Sequence, residues 1–492
     1  MIRSLAGILA LLLAAAAARG QAARAQTPLA YLSRMVTDAD KAAPTFATLR
    51  GTEDKHLAPL FRALARSGDK QRRMFGLLAL AELMGAEAGD VLLDRLQNDP
   101  TMPIRAAALA RLIDLKAITN EQLANALSIP DENVQCLAAR ELVHRGQAGV
   151  AVGVLEKLAA SKDPATSSLS RMCLLGLGRR DQEPALRKVM RDPKTPPAAL
   201  LLLLRQIERQ KITAAMGLAL HVATAEEHPS KLKARAYQAV SAISSLGAVT
   251  LRDAILKSRR TVFRAQVLKV LSSRDDAGGH LQAIAKGKDP VAALARFELA
   301  RKTGGPTAAG AVIGVIDLQH PVLVAYVLDR AGEDIKARGK EAGFYTPGLL
   351  KYIRSVDPKP TRMGKEHFFA AGAAARLIQL GTPEAIAGLK QILSGRKSAI
   401  SRSAAAGLLR AKNPAARALV KPLLNSPYGE LATDAALVLG HFGDPAAAGY
   451  LRNVLAHPKR YPPALLVLAS WYLLKIDKQT RPAAAKLAKL VK

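Results

Sequence analysis

The sequence is poor in aromatics, cysteine and acid. Aromatic residues make up 4% of its 492 positions, with one tryptophan, while 49% of the chain is hydrophobic. Alanine and leucine supply most of that apolar content, which favours close-packed helices over sheets. The two cysteines, Cys136 and Cys173, sit among apolar neighbours in NVQCLAAREL and SRMCLLGLG, where cysteine serves as a small buried hydrophobe. An oxidising compartment permits a bridge between them, and the sequence leaves that pairing open.

No apolar run near the start reaches the ~20 residues that a spanning helix needs. MIRSLAGILALLLAAAAARGQAARAQ instead reads as a secretory signal. Arg3 forms its basic head, Leu5 to Ala18 its apolar stretch, and Ala23-Arg24-Ala25 a small-residue cleavage site before Gln26. An exported, periplasmic or secreted chain starting at Gln26 is expected, with an uncleaved anchor as the weaker alternative.

The 40 acidic residues stand against 72 lysines and arginines, for a formal charge of +32. The excess is uneven: Ile335 to Lys492 holds 26 basic and eight acidic side chains. An anionic partner is most plausible at that end.

Signatures of chemistry are missing too. The nine histidines show no H-x-x-x-H or H-E-x-x-H spacing. Ser230 to Lys233 satisfies S-x-x-K and Lys302 to Gly304 satisfies K-T-G, but the S-D-N element and the strand that this chemistry requires are absent. Gly287-Lys288-Asp289-Pro290 lacks the preceding strand and spaced glycines of a phosphate loop. The expectation is a non-enzyme with no catalytic residue, metal ligand, cofactor or small-molecule substrate.

What the chain has is repetition. VLLDRLQNDPTMPIRAAALARLIDL is two apolar-periodic helices joined by a turn, and about a dozen such pairs fill the sequence. Asp before Pro punctuates them at Asp99-Pro100, Asp163-Pro164, Asp192-Pro193, Asp289-Pro290 and Asp444-Pro445. The residue before proline is driven out of the α region, and proline suits the first turn of the next helix. Apolar positions then recur at three and four, as in Ile104, Ala108, Leu109 and Leu112, a stripe that only stacked neighbours can bury.

An Asp-Pro turn, an arginine about six residues on and an Ala/Leu-rich second helix resemble the HEAT repeats, in particular the bacterial PBS-lyase HEAT-like type. The best match is Asp99 with Arg105. Asp289 with Arg296 and Asp163 with Arg171 are looser, and Arg235, Arg264 and Arg402 take similar places without the aspartate. The resemblance implies an all-α, right-handed solenoid of stacked antiparallel helix pairs whose concave face binds proteins. In such a repeat Asp99, Pro100, Arg105, Asp163, Pro164, Arg171, Asp289, Pro290 and Arg296 would serve as turn and clamp residues.

The chain then divides into a signal peptide (1–25), N-terminal repeats (26–330), an atypical segment (331–377), and basic C-terminal repeats with a cap (378–492). The atypical segment concentrates charge and aromatics. Its candidate partner-binding residues are Lys336, Arg338, Lys340, Phe344, Tyr345, Tyr352, Arg354, Lys359, Arg362 and Lys365. The competing reading is a decorated repeat whose aromatics fill a local core.

The expected function is a scaffold or adaptor holding a protein partner in the groove. The alternative is an envelope protein whose basic end and amphipathic tail RPAAAKLAKLVK bind an anionic polymer or membrane surface.

Overall fold

The computed structural model describes residues 27–225, 228–243, 247–356, 364–395, 398–427 and 429–491. The signal-like segment 1–25 lies outside them, as do Lys359, Arg362 and Lys492. Among the described residues every regular element is an α- or 3-10 helix, and no helix is long and apolar enough to cross a membrane. Two compact units form: one is Ala86–Ile392, the other combines Met1–Gly85 with Leu393–Lys492.

In the unit Ala86–Ile392 the helix pair is made by its turn. Helix Gly89–Asn98 stops where Asp99 goes extended, at ψ 131°, and helix Met102–Asp114 follows. The Asp99 carboxylate accepts the Thr101 N–H at 2.9 Å, and its carbonyl accepts Arg105 Nε at 2.5 Å. Arg105 thus ties the second helix to the connection it grew from. Arg296 does the same for its own loop, donating to the carbonyls of Ala285 at 2.7 Å and Gly287 at 3.1 Å.

Asp163 and Asp289 cap the helices that begin at Pro164 and Pro290. Their arginine partners differ. Arg171 bonds Ser167 Oγ and Gln182 Oε1 rather than Asp163. Asp289 takes Arg264 from the preceding second helix at 3.0 Å.

Ile104, Ala108, Leu109 and Leu112 are buried, and each fully buried leucine stabilises by about 2 kcal/mol. Stacking supplies the burial. Second helices pack in a row, from Met102–Asp114 through Glu132–His144, Pro164–Gly176, Pro197–Gln210, Ser230–Ile243 and Thr261–Ser272 to Pro290–Thr303. First helices make their own row, with Glu183–Arg191 on Met216–Thr224 and Gly247–Lys257 on Ala277–Ala285. The result is an all-α solenoid.

The other unit joins the two described ends of the chain. Helix Pro28–Thr37 packs on Pro463–Ile476, and Ala58–Leu64 packs on Thr480–Leu490. Trp471 is fully buried and its indole N–H donates to Asp54 Oδ2 at 3.1 Å. Lys412 donates to the Gly51 carbonyl and pairs with Glu53 at 2.6 Å. Gly76 lets helix Lys70–Met84 lie directly on the backbone of Ala58–Leu64: a Cβ there would stand 2.4 Å from the Ala65 amide nitrogen. In the C-terminal tail Leu487 and Val491 are buried while Lys486 and Lys489 are exposed. Helix packing has consumed most of the apolar stripe that a lipid surface would need.

Helix Gly429–His441 carries two titrations of opposite sign. Burial pushes the Asp434 carboxyl up to about 6, with Arg402 opposing. Burial, aided by Lys475 and Lys412, pushes His441 down to about 4. The Asp434 carboxyl binds its proton more tightly in the fold, so its contribution is present at low pH and is lost as pH rises from the ordinary 3.8 through about 6. His441 is folded as the neutral ring, so its contribution is present at neutral pH and is lost as pH falls from the ordinary 6.5 through about 4. In calorimetry, Asp434→Asn should melt above the parent at neutral pH and converge with it in acid. His441→Gln should lose less of its melting temperature on acidification. Parallel pH profiles for parent and variants would contradict both assignments.

Candidate functional site

The atypical segment is built as regular structure. Helix Pro321–Arg338 ends at Gly339, whose φ of 59° suits glycine, and a 3-10 turn Gly339–Tyr345 leads into helix Thr346–Ser355. Phe344, Tyr345 and Tyr352 are 8%, 0% and 5% exposed, which corrects their expected place on a binding surface. Tyr345 packs on Phe297 and Phe344 at ring-centroid distances of 6.1 and 4.4 Å, so the aromatics fill a core. The cations Lys336, Arg338, Lys340, Arg354 and Lys365 are exposed. Arg338 reaches the Arg301 carbonyl and Arg354 reaches Gln391.

A cleft does open along the second helices. Helix Pro197–Gln210 buries Leu200, Leu203, Leu204 and Ile207, which turns Leu201 and Arg205 outward. Helix Ser230–Ile243 adds Lys231, Arg235 and Gln238, helix Thr261–Ser272 adds Gln266, Lys269 and Val270, and helix Pro321–Arg338 adds Arg330 and Glu333. Together they line about 670 Å³, within the range of binding clefts. Arg235 is engaged with Glu208 and Gln238. Arg205 and Lys231 are exposed and have no polar partner among the described residues, and the buried Gln266 Oε1 accepts nothing.

The floor beyond this cleft is a buried ionic cluster. Glu298, fully buried, accepts from Tyr326 at 2.5 Å, Arg330 at 2.7 Å and Arg301 at 2.9 Å. Arg301 continues to Asp334 at 2.6 Å, which also accepts from the Tyr345 hydroxyl at 2.8 Å. Arg330 reaches past helix Pro290–Thr303 to the Lys269 carbonyl at 3.0 Å and to Ser272. Lys269 returns to Asp329 and, at 2.8 Å, to Glu333. Burial pushes the Glu333 carboxyl up, but Lys269 and Arg330 outweigh it and hold it below its usual value. Burial together with the Glu298 charge raises the Tyr326 hydroxyl well above its usual range, so it remains a donor.

A second strap repeats the device. Arg140 donates to Gln206 at 2.9 and 2.7 Å, and Arg209 pairs with Glu141 at 2.5 Å, both passing over helix Pro164–Gly176. Beneath it Gln206 donates to Cys173 Sγ at 3.2 Å, and Cys136 lies 3.7 Å from Ser170 Oγ. Both cysteines are free and buried. Burial pushes Cys173 up to about 12 and also raises Cys136, so neither is a nucleophile near neutral pH. Each strap ties second helices two places apart across the one between them.

Sequence reasoning singled out none of the strap residues. The available signal was an acid in the apolar run ARFELARK, with Arg301 three places on, since an acid on a buried stripe requires partners.

Among the described residues no group of three or more His, Cys, Asp or Glu side chains is placed to hold a metal ion. The fold and cleft define a class, an all-α solenoid with a polar cleft on its second helices. No protein-family profile matches the chain, and no curated protein matches it. Among solved structures it is similar to Kap121p bound to Nup53p, at 12% identity and a TM-score of 0.32, over 94% of this chain and 52% of that one. It is similar in the same measure, at 11% identity, to the karyopherin Kap121p bound to the extreme C-terminus of the protein phosphatase Cdc14p. The chain spans about half the length of these proteins.

Proposed function

We propose that this chain is a non-enzymatic scaffold that holds an extended polypeptide along the second-helix cleft. The carrying observation is that Arg205 and Lys231, exposed on the cleft, have no carboxylate partner among the described residues. An acidic-leaning peptide supplies carboxylates for these cations, while Leu201 and Val270 offer apolar contact. Export rests on the signal-like residues 1–25 and places the partner in the envelope or outside the cell.

The test is affinity capture with the mature chain, starting at Gln26, from envelope extract. Parent protein should retain a polypeptide that Arg205→Glu/Lys231→Glu loses by about tenfold or more. Retention should fall only modestly between low and physiological salt, because apolar contacts share the load. Capture indifferent to the charge reversal would overturn this reading. So would captured material that is lipid or polysaccharide and is released steeply by salt, the outcome expected of a polyanion binder.

A further inference from the structure

Helix Ser230–Ile243 has a second cleft on another of its faces, which the peptide cleft does not use. It also measures about 670 Å³ and lies between that helix, Gly247–Lys257 and Thr261–Ser272. Its wall carries KSRR: Lys257, Arg259 and Arg260 are exposed and have no carboxylate partner among the described residues. The carboxylate in the lining, Asp253, is engaged by Arg252 at 2.8 Å. Ser230 and Ser258 add hydroxyls.

The floor is aromatic. Tyr237 and Phe263 pack with ring centroids 5.8 Å apart, and each is only 6% exposed. Tyr237 lines the cleft, and its hydroxyl has no hydrogen-bond partner among the described residues. The hydroxyl is not sealed in the core but opens to the cleft, where it is available to a ligand. Helix Thr261–Ser272 also starts here without a side-chain cap, leaving first-turn N–H groups for an anion.

We propose that this cleft binds a small phosphate monoester, the phosphate held by Lys257, Arg259 and Arg260 and the organic part laid against Tyr237 and Phe263. Three unpaired cations call for a multiply charged anion, because one carboxylate would leave two of them unmatched. The volume exceeds what an inorganic ion fills, and the aromatic floor calls for a flat or apolar organic group. The Tyr237 hydroxyl donates to a phosphate oxygen where the charged and apolar parts meet.

Titration calorimetry of the full chain with phenyl phosphate, inorganic phosphate and phenol tests this. Phenyl phosphate should bind saturably, about tenfold or more tighter than either fragment. Arg259→Ala/Arg260→Ala, both on exposed positions, should weaken it by about tenfold or more. Tyr237→Phe keeps the ring and should weaken it several-fold. Arg205→Ala, in the peptide cleft, should leave it unchanged. The proposal is overturned by no saturable heat up to about 5 mM phenyl phosphate, by binding indifferent to the double variant, or by an equal loss in Arg205→Ala, which marks general charge attraction.

Discussion

Glu298→Ala is expected to remove about 3–5 kcal/mol from the stability of the unit Ala86–Ile392. The carboxylate is fully buried and satisfies Arg330, Arg301 and the Tyr326 hydroxyl at once. Truncation leaves two guanidinium groups in a poorly solvated site and opens a void. Arg330 then also loses its alignment with the Lys269 carbonyl and Ser272, so the strap across helix Pro290–Thr303 loosens. Urea unfolding followed by circular dichroism measures the loss. An apolar double replacement, Glu298→Leu/Arg330→Met, should recover much of it, since a buried ion pair and a packed apolar pair are often close in free energy. A loss below about 1 kcal/mol for the single variant would mean that the cluster is solvated.

Gly76→Ala is expected to be the most damaging single methyl in the other unit. The new Cβ would stand 2.4 Å from the Ala65 nitrogen and 2.7 Å from the Leu64 carbonyl carbon, both backbone, so no rotamer change relieves it. Helix Lys70–Met84 would have to lift off Ala58–Leu64, costing about 3 kcal/mol against at most about 1 kcal/mol gained in helix propensity. Gly153→Ala is the control. It is exposed within helix Ala148–Ala159 and meets nothing within 4 Å, so it should stabilise by about 0.5–1 kcal/mol. Trp471, the chain's one tryptophan, reports by fluorescence on the unit that holds Gly76. An unshifted Trp471 transition in Gly76→Ala would refute the close approach.

The helical class was legible because its determinants are local: alanine and leucine at helical spacing, aspartate before proline at the turns. The asparagine, aspartate and proline of LQNDPTMPIR set a helix end within a few residues, and no distant contact is needed to read it. The clefts were not legible. Which side of Ser230–Ile243 faces a neighbour depends on how that helix is rotated in the stack, and the sequence shows only that an apolar stripe exists. Phe344, Tyr345 and Tyr352 look like surface anchors beside so many cations, yet the turn Gly339–Tyr345 packs back on helix Pro321–Arg338 and all three rings are buried. The bond between Asp54 and Trp471 joins positions 417 apart, beyond the reach of any periodicity.

That last pairing sets an order of events. In a simple stack each repeat needs only the one before it, so a chain can fold while it is being made. The unit built from both ends cannot, because helices Pro28–Thr37 and Ala58–Leu64 lie against segments near the last residues. Bringing positions 417 apart together costs on the order of 5 kcal/mol of chain entropy. Once made, those two helices therefore wait for Pro463–Ile476 and Thr480–Leu490, and until these exist their apolar faces stay uncovered.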